Sequence, residues 1–411
     1  MAQGAALGCL TIASLVVARW GGPAVLGEYA LLRVLPWLTG VIASAGLPVA
    51  STFFLAARTG SDPRLRPTLL TLALAGSAVG LLAWAVAVPL LHRLFFPDLS
   101  PGLLLLAGLT VATQLFTVWG KACCQGQADM LGANIVIVGE ELLFLPAYWL
   151  VSHAGLHGIT AVVVAMVGGG AAATALSVGR LAATGFFTGR AAPSLRLARE
   201  VVVFGARAQL GNLLWLVNLR LDFLILDALA GPAVLGIYAV ASKFAELMRL
   251  PATAANYVLY PRFARAERVD TDAEVRRLLP RALALTALAT PVLALAATIA
   301  LPLLYGQAFR GAVLPACVLL VGLAVEGASA VASAYLWGIG RPGANSFAMG
   351  LGVVVTVALD LVLIPHHGAM GAAASSSAAY LATSAVLVGL TYRFSSTGRV
   401  STVVASRAEP L

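Results

Sequence analysis

Arg33, Arg207, Arg220, Lys243 and Arg249 are five cations set in stretches of sequence that are otherwise apolar. Six carboxylates share those stretches: Glu140, Glu141, Asp222, Glu246, Glu326 and Asp360. Guanidinium forks match the oxygens of phosphate and carboxylate groups, so a cavity bearing these cations would attract an anion. Asn212 and Asn218 place amide groups beside Arg207 and Arg220. On a helix, Arg207, Gly211, Asn218 and Asp222 fall within about 60° of one another as one polar stripe, while Arg220 points elsewhere. Asp222, Glu246, Glu140, Glu326 and Asp360 can either pair with the cations or bind protons or Na⁺, and the residues alone leave both readings open. Lys243 and Glu246, spaced i,i+3, can neutralise each other.

These charges stand out because the chain holds so few. Of its 411 residues 60% are apolar and 10% charged, and the mean hydropathy is +0.93. A soluble globular surface needs about 25% charged residues. That comparison excludes a soluble enzyme, a secreted disulfide scaffold, a DNA-binding domain and a disordered tail. The chain is an all-α polytopic membrane protein. At roughly 20 residues per span there is room for about a dozen spans. Read by apolar runs, they cover about 1–17, 29–56, 68–91, 103–120, 131–151, 158–178, 201–228, 236–259, 282–304, 312–338, 344–364 and 368–392. The eleven buried charges fall in spans 2, 5, 7, 8, 10 and 11 alone. That implies a polar interior shielded by the other six, since an ionisable group at the bilayer centre costs about 2.5–3.5 kcal/mol on insertion scales. Pro251, just after Arg249, should kink span 8.

The net charge of +9 is spread through short loops, as orientation signals are, so no nucleic-acid partner is expected. Eighteen Lys and Arg fall in one set of alternate loops and three (Arg19, Arg93 and Arg310) in the other. By the positive-inside rule both termini are cytoplasmic. The four cysteines read as packing residues, and the five histidines, all in outer loops, show no metal-ligand spacing. No nucleophile-elbow, metal or phosphate-loop pattern is present. No catalytic residue, metal or resident cofactor is expected. Val269 to Arg281 reads as an amphipathic cytoplasmic helix capped by Thr271 or Asp272, with Arg276 and Arg277 near anionic headgroups.

Gly22-Pro23-Ala24-Val25-Leu26-Gly27-Glu28-Tyr29-Ala30 recurs as Gly231-Pro232-Ala233-Val234-Leu235-Gly236-Ile237-Tyr238-Ala239, with one difference at an offset of 209. Gly132-Ala133-Asn134 recurs as Gly343-Ala344-Asn345 at an offset of 211. Six spans separate the copies of the first echo, so the halves share one orientation. They form a parallel repeat of two six-helix lobes, as in secondary transporters whose path lies between the halves. The expected organisation is an N-lobe of spans 1–6 over 1–180, a cytoplasmic linker over 181–200, a C-lobe of spans 7–12 over 201–394, and a cytoplasmic tail over 395–411. The repeat sets Arg33 opposite Ser242, one residue from Lys243.

The segment from Phe204 to Arg265, with Asn218-Leu219-Arg220-Leu221-Asp222, the second repeat copy and Tyr260-Pro261-Arg262-Phe263-Ala264, resembles the second half of polysaccharide flippases. These belong to the multidrug/oligosaccharidyl-lipid/polysaccharide exporter superfamily. Leu26-Gly27-Glu28-Tyr29-Ala30 and Ala45-Gly46-Leu47-Pro48 resemble that family's opening loop and second helix. The resemblance implies two six-helix lobes about a V-shaped cavity in a bacterial cytoplasmic membrane. It further implies passage of an undecaprenyl-pyrophosphate-linked oligosaccharide, of the O-antigen or lipopolysaccharide type, from the inner to the outer leaflet. Arg33, Arg207, Arg220, Lys243, Arg249, Asn212 and Asn218 are the candidates for holding pyrophosphate and sugar, by position. The implied partners are that substrate, membrane lipids, and a polymerase or other assembly proteins. Lipid II flippases carry two further C-terminal helices, which sets this chain apart from them. A cation-coupled drug antiporter of the same superfamily is the alternative, although it calls for an acidic cavity. A membrane-embedded glycosyltransferase or ligase fits less well, because the outer loops are short and Asp98 is the only acid between spans 3 and 4.

Overall fold

A computed structural model describes residues 2–57, 62–189, 191–252, 255, 259, 262–263 and 268–406 of the protein, with the backbone alone at 2–3, 57, 208, 210–219, 268–270, 342 and 396–406. All regular structure among these residues is helical. In chain order the helices are α1 (Ala2–Ala43), α2 (Leu47–Ala57), α3 (Leu65–Leu94), α4 (Pro101–Gly126), α5 (Met130–Leu142), α6 (Phe144–His153) and α7 (Gly158–Ala183). They continue with α8 (Leu195–Ala230), α9 (Pro232–Ala245), α10 (Arg268–Tyr305), α11 (Val313–Gly338) and α12 (Pro342–Ser406). Among the described residues eight helices are long and apolar enough to cross a bilayer. Two of these join two expected spans across a fold: α1 carries span 1 and the first part of span 2 about Gly22 (φ 73°), and α12 carries spans 11 and 12 about Gly368 (φ 52°). Span 7 lies on α8, and span 8 starts on α9 and ends partly outside the described residues. Each of the twelve expected spans therefore falls at least in part on a helix.

The repeat is visible in the backbone. Gly22 (φ 73°, ψ −172°) and Gly231 (φ 82°, ψ 170°) share a conformation closed to residues with a side chain. The proline after each starts a helix, where its missing N–H costs nothing. The second echo likewise follows paired helix ends: α4 stops at Gly126 and α11 at Gly338. The turns beyond them put Ala128 (φ 60°) and Gly340 (φ 73°) in the left-handed region. The first copy thus holds an alanine where the second holds the residue that suits the turn.

Several expected spans are broken. Span 2 stops at Ala43 and restarts at Leu47, across Ala45 (φ 46°) and Gly46 (φ 75°). Span 5 divides at Leu143, three residues before Pro146. In span 8 the irregularity lies upstream of Pro251, where Glu246–Met248 form a 3₁₀ turn. Proline clashes with the carbonyl four residues back, here that of Leu247, which the tighter turn moves aside.

The amphipathic helix expected from Val269 to Arg281 is not a separate element. It is the first part of α10, which begins at Arg268, so Thr271 and Asp272 are not its caps. Thr271 and Val275 are buried, and Asp272 accepts a hydrogen bond from Tyr335 Oη at 2.5 Å. Arg276 donates to Ser395 Oγ at 2.9 and 3.1 Å and lies over the Tyr392 ring. It packs against α12, while Arg277 beside it is exposed. Pro280, Pro291 and Pro302 recur along α10 at intervals of eleven residues. The segment expected as a tail is helical to Ser406.

By contacts the chain divides into two compact units, Met1–Arg220 and Leu221–Leu411. The division falls inside α8, not in the loop before it. Within the first unit, α8 approaches α2 closely. A Cβ on Gly46 would overlap the Gly205 carbonyl, Phe53 stacks on Phe204 at 4.5 Å, and Gln209 Nε2 donates to Val41 O at 3.3 Å. The core beneath this contact includes Phe54, Trp119, Cys123 and Val201. In the second unit Phe263, Val275, Tyr335 and Leu387 belong to one buried cluster.

Beside the turn at Ala128, Asp129 caps α5 by accepting from Gly132 N at 3.0 Å, and receives a bidentate pair from Arg180 at 2.7 and 2.8 Å. The Arg180 guanidinium holds the Asp129 carboxyl below its ordinary range. Two outcomes are expected. Ala128→Gly should raise stability by about 1 kcal/mol, the cost of a left-handed alanine, read as a higher melting temperature in detergent. The Asp129–Arg180 contribution is complete above the ordinary carboxylate pKa of about 3.9 and is lost as pH falls through the lowered folded value. Wild-type and Asp129→Asn melting temperatures should therefore differ at neutral pH and converge in acid.

Candidate functional site

In the first unit the centre is Arg33 on α1. It donates to Glu141 of α5 through both terminal nitrogens, at 2.7 and 3.0 Å, and to Tyr29 Oη at 3.3 Å. The two charged side chains are 31% and 15% exposed. Such a paired, part-buried arrangement is how an ion can be held among apolar helices. A cavity of about 50 Å³ lies alongside, lined by Arg33, Glu140, Thr110, Thr113, Gln114 and Thr117 together with Phe144 and the α7 glycines Gly169 and Gly170. Gln114 Oε1 is buried and accepts no hydrogen bond from the described residues. The space suffices for a few waters. Glu140 is half-buried at its wall.

In the second unit two networks are present. Arg249 Nε donates to Glu326 Oε2 at 3.0 Å, and its guanidinium lies 5.2 Å from the Tyr380 ring centroid. Asp222 is buried. It accepts from Tyr238 Oη at 2.6 Å and from the Phe223 N–H at 2.9 Å, while Tyr238 Oη meets Ser376 Oγ at 3.1 Å. Asp360 is fully buried near the Ser375 hydroxyl, and neither of its carboxylate oxygens makes a hydrogen bond of good geometry among the described residues. It is near enough to Asp222 for their charges to interact. Two carboxylates, a tyrosine and a serine thus meet in the second unit. No group of three or more His, Cys, Asp or Glu converges among the described residues.

The expected site residues separate into these clusters. Arg33 is tied to Glu141, a carboxylate not counted among the candidate site residues. Arg249 and Glu326 pair with each other. Glu246 and Lys243 are half-buried, on the 3₁₀ turn and on α9. Arg207 is exposed on α8 within the first unit, and Arg220 is half-buried at that unit's end. The side chains of Asn212 and Asn218 lie outside the described residues. The polar stripe expected along α8 therefore begins in one unit at Arg207 and ends in the other at Asp222.

Tyr29, Tyr238, Ser376 and Tyr380 were not among the expected residues. For two of the tyrosines a signal existed: Tyr29 and Tyr238 are equivalent positions of the repeat. Each turns its hydroxyl to the charged group of its own unit, Arg33 in the first and Asp222 in the second.

Residues 16–314 match the family described as polysaccharide biosynthesis protein. Among solved structures, a lipid II flippase MurJ in an inward closed conformation superposes with a TM-score of 0.78 at 12% identity, covering 95% of this chain and 86% of that one. An inward-facing multidrug resistance MATE family transporter of the MOP superfamily gives 0.74 at 17% identity, with 95% of each chain covered. A MOP superfamily transporter from Pyrococcus furiosus, reported with reversed polarity of its binding pocket, gives 0.64 at 16% identity over 97% and 94% of the two chains. At these identities the resemblance is one of fold. These neighbours are transporters and a flippase, not enzymes. No curated protein matches the sequence.

The Arg33–Glu141 pair gives a direct expectation. Removing one partner strands the other, at a cost towards the low end of about 3–5 kcal/mol because the pair is partly exposed. Arg33→Ala should therefore lower the melting temperature clearly. Arg33→Met with Glu141→Leu should recover most of the loss, and a double variant as unstable as the single one would rule out the pair as the cause.

Proposed function

Because the chain belongs to the polysaccharide biosynthesis protein family, we propose that it moves a lipid-linked oligosaccharide across a bacterial cytoplasmic membrane, from the inner to the outer leaflet, by alternating access of two six-helix lobes. The 1–180 and 201–394 organisation, both termini in the cytoplasm, and an undecaprenyl-pyrophosphate carrier destined for O-antigen or a similar polymer are parts of that reading. The observation that supports it most is the polar chemistry held inside membrane-spanning helices: Arg33 with Glu141 in one unit and Arg249 with Glu326 in the other. Sugar hydroxyls cannot cross hydrocarbon without losing their hydrogen-bond partners, and a pyrophosphate needs cations. Arg33, Arg207, Arg220, Lys243 and Arg249 supply the charge, with Asn212 and Asn218 for hydroxyl groups. Arginine pairs of this kind can exchange a carboxylate for a phosphate while staying compensated.

Coupling belongs to Asp222 and Asp360. Two buried carboxylates close enough for their charges to interact are costly as a pair of anions, and a proton or a Na⁺ removes that cost. Glu140, Glu246 and Glu326 are the further carboxylates available for coupling or pairing. With an anionic cargo, an inside-negative potential would itself favour outward movement by about 2.3 kcal/mol per charge per 100 mV.

The second reading, a cation-coupled drug or metabolite antiporter, has the MATE-like fold in its favour and five intramembrane cations against it. Replacing Lys243 and Arg249 together by Ala should abolish polymer export at wild-type protein levels. Undiminished export would remove those two cations from the mechanism, and drug resistance conferred on a sensitive host would favour the antiporter.

A further inference from the structure

The first unit holds another cavity, apart from the one beside Arg33, at the start of α3. It measures about 380 Å³ and is walled by the first turns of that helix, by Gln127 at the end of α4, and by the 186–189 segment that follows α7. Two charged residues line it, both half-buried and four positions apart: Asp62, in the turn that leads into α3, and Arg66, in the first turn of the helix. Each has a structural task that leaves part of its bonding capacity over. Asp62 Oδ1 accepts from Arg64 N at 2.9 Å. Arg66 Nη1 donates to Gly185 O at 3.0 Å, and its guanidinium lies 5.7 Å from the centroid of the Phe186 ring. Among the described residues neither Asp62 nor Arg66 has an ion-pair partner, and the two do not pair with each other. Leu70, one turn further along α3, and the rings of Phe186 and Phe187 add apolar wall to the same space.

A cavity that presents one fixed cation and one fixed anion, neither compensated by the protein, opposes a simple ion of either sign and matches a zwitterion. Its depth narrows the class. α3 is long and apolar enough to cross a bilayer, and the cavity occupies its first turns, where Arg64 and Arg66 give way to the apolar run. That is the level of lipid headgroups. We propose that the cavity binds the headgroup of a zwitterionic phospholipid with a primary ammonium, a phosphoethanolamine lipid: its phosphate on Arg66, its ammonium on Asp62, and the start of its acyl chains against Leu70 and Phe187. Phosphate oxygens suit the guanidinium donors that Gly185 does not use. A primary ammonium brings three N–H donors to the carboxylate, whereas a choline brings none and a phosphatidylglycerol headgroup no positive charge. The proposal rests on the chain crossing a bilayer and is independent of what it transports.

The test is native mass spectrometry of the purified, delipidated full-length protein, titrated separately with phosphatidylethanolamine, phosphatidylcholine and phosphatidylglycerol of identical acyl chains. The first phosphatidylethanolamine should bind about tenfold more tightly than either of the others, the difference that one charge-assisted hydrogen bond makes. Asp62→Asn, which keeps an acceptor for Arg64 N, should erase that preference at an unchanged melting temperature. Arg64→Gln, at an exposed arginine that does not line the cavity, should preserve it. Excess inorganic phosphate should not displace the lipid. Equal binding of the three lipids, tighter binding of phosphatidylglycerol, a preference that survives Asp62→Asn, or displacement by inorganic phosphate would each overturn the proposal, the last by making the cavity a site for a free anion.

Discussion

An ionised side chain among lipid-facing helices must find a counter-charge within reach or leave the membrane. That constraint organises both units. In the first, Arg33 is clasped by Glu141 and touched by Tyr29; in the second, Arg249 is held between Glu326 and the face of Tyr380. Helical stretches that carry no charge, such as the part of α10 beyond Arg281, take the contact with lipid. In α10, whose most apolar stretch is only 11% buried, Leu285, Leu288, Leu295 and Ile299 all face outward. The contrast between helices that must pair and helices that need not is what makes an interior possible in a chain this apolar.

Much of the architecture could be read from the residues because hydrophobic runs of span length have few alternatives in a membrane. The Gly-Pro echo located the repeat, and both copies adopt the same rare backbone at Gly22 and Gly231. Breaks inside spans were harder to see. Ala45–Gly46 and Leu143 interrupt helices with no change in hydropathy, since their causes are local backbone geometry and Pro146. The start of α10 was misread for a different reason. Arg276 and Asp272 look like surface residues by type, yet Ser395, Tyr392 and Tyr335 arrive from more than sixty positions away to satisfy them.

The candidate site shows the same limit. Residue type identified which side chains are costly to bury, and the structure supplied their partners. Pairing turned Arg33 from a bare cation into half of an ion pair with Glu141. The orphaned oxygens of Asp360 and Gln114 emerge only when packing closes around them. Family membership and fold agree with a flippase or transporter.

The prolines of α10 carry a mechanical corollary. An interval of eleven residues is close to three full turns, so Pro280, Pro291 and Pro302 stand nearly above one another on one side of the rod. Each weakens the ladder at the same azimuth, and deflections that would cancel at random spacing instead accumulate. Such a rod is soft towards a single direction and stiff across it, like a leaf spring. Any strain delivered to α10 from either end would then be converted into bowing within one fixed plane.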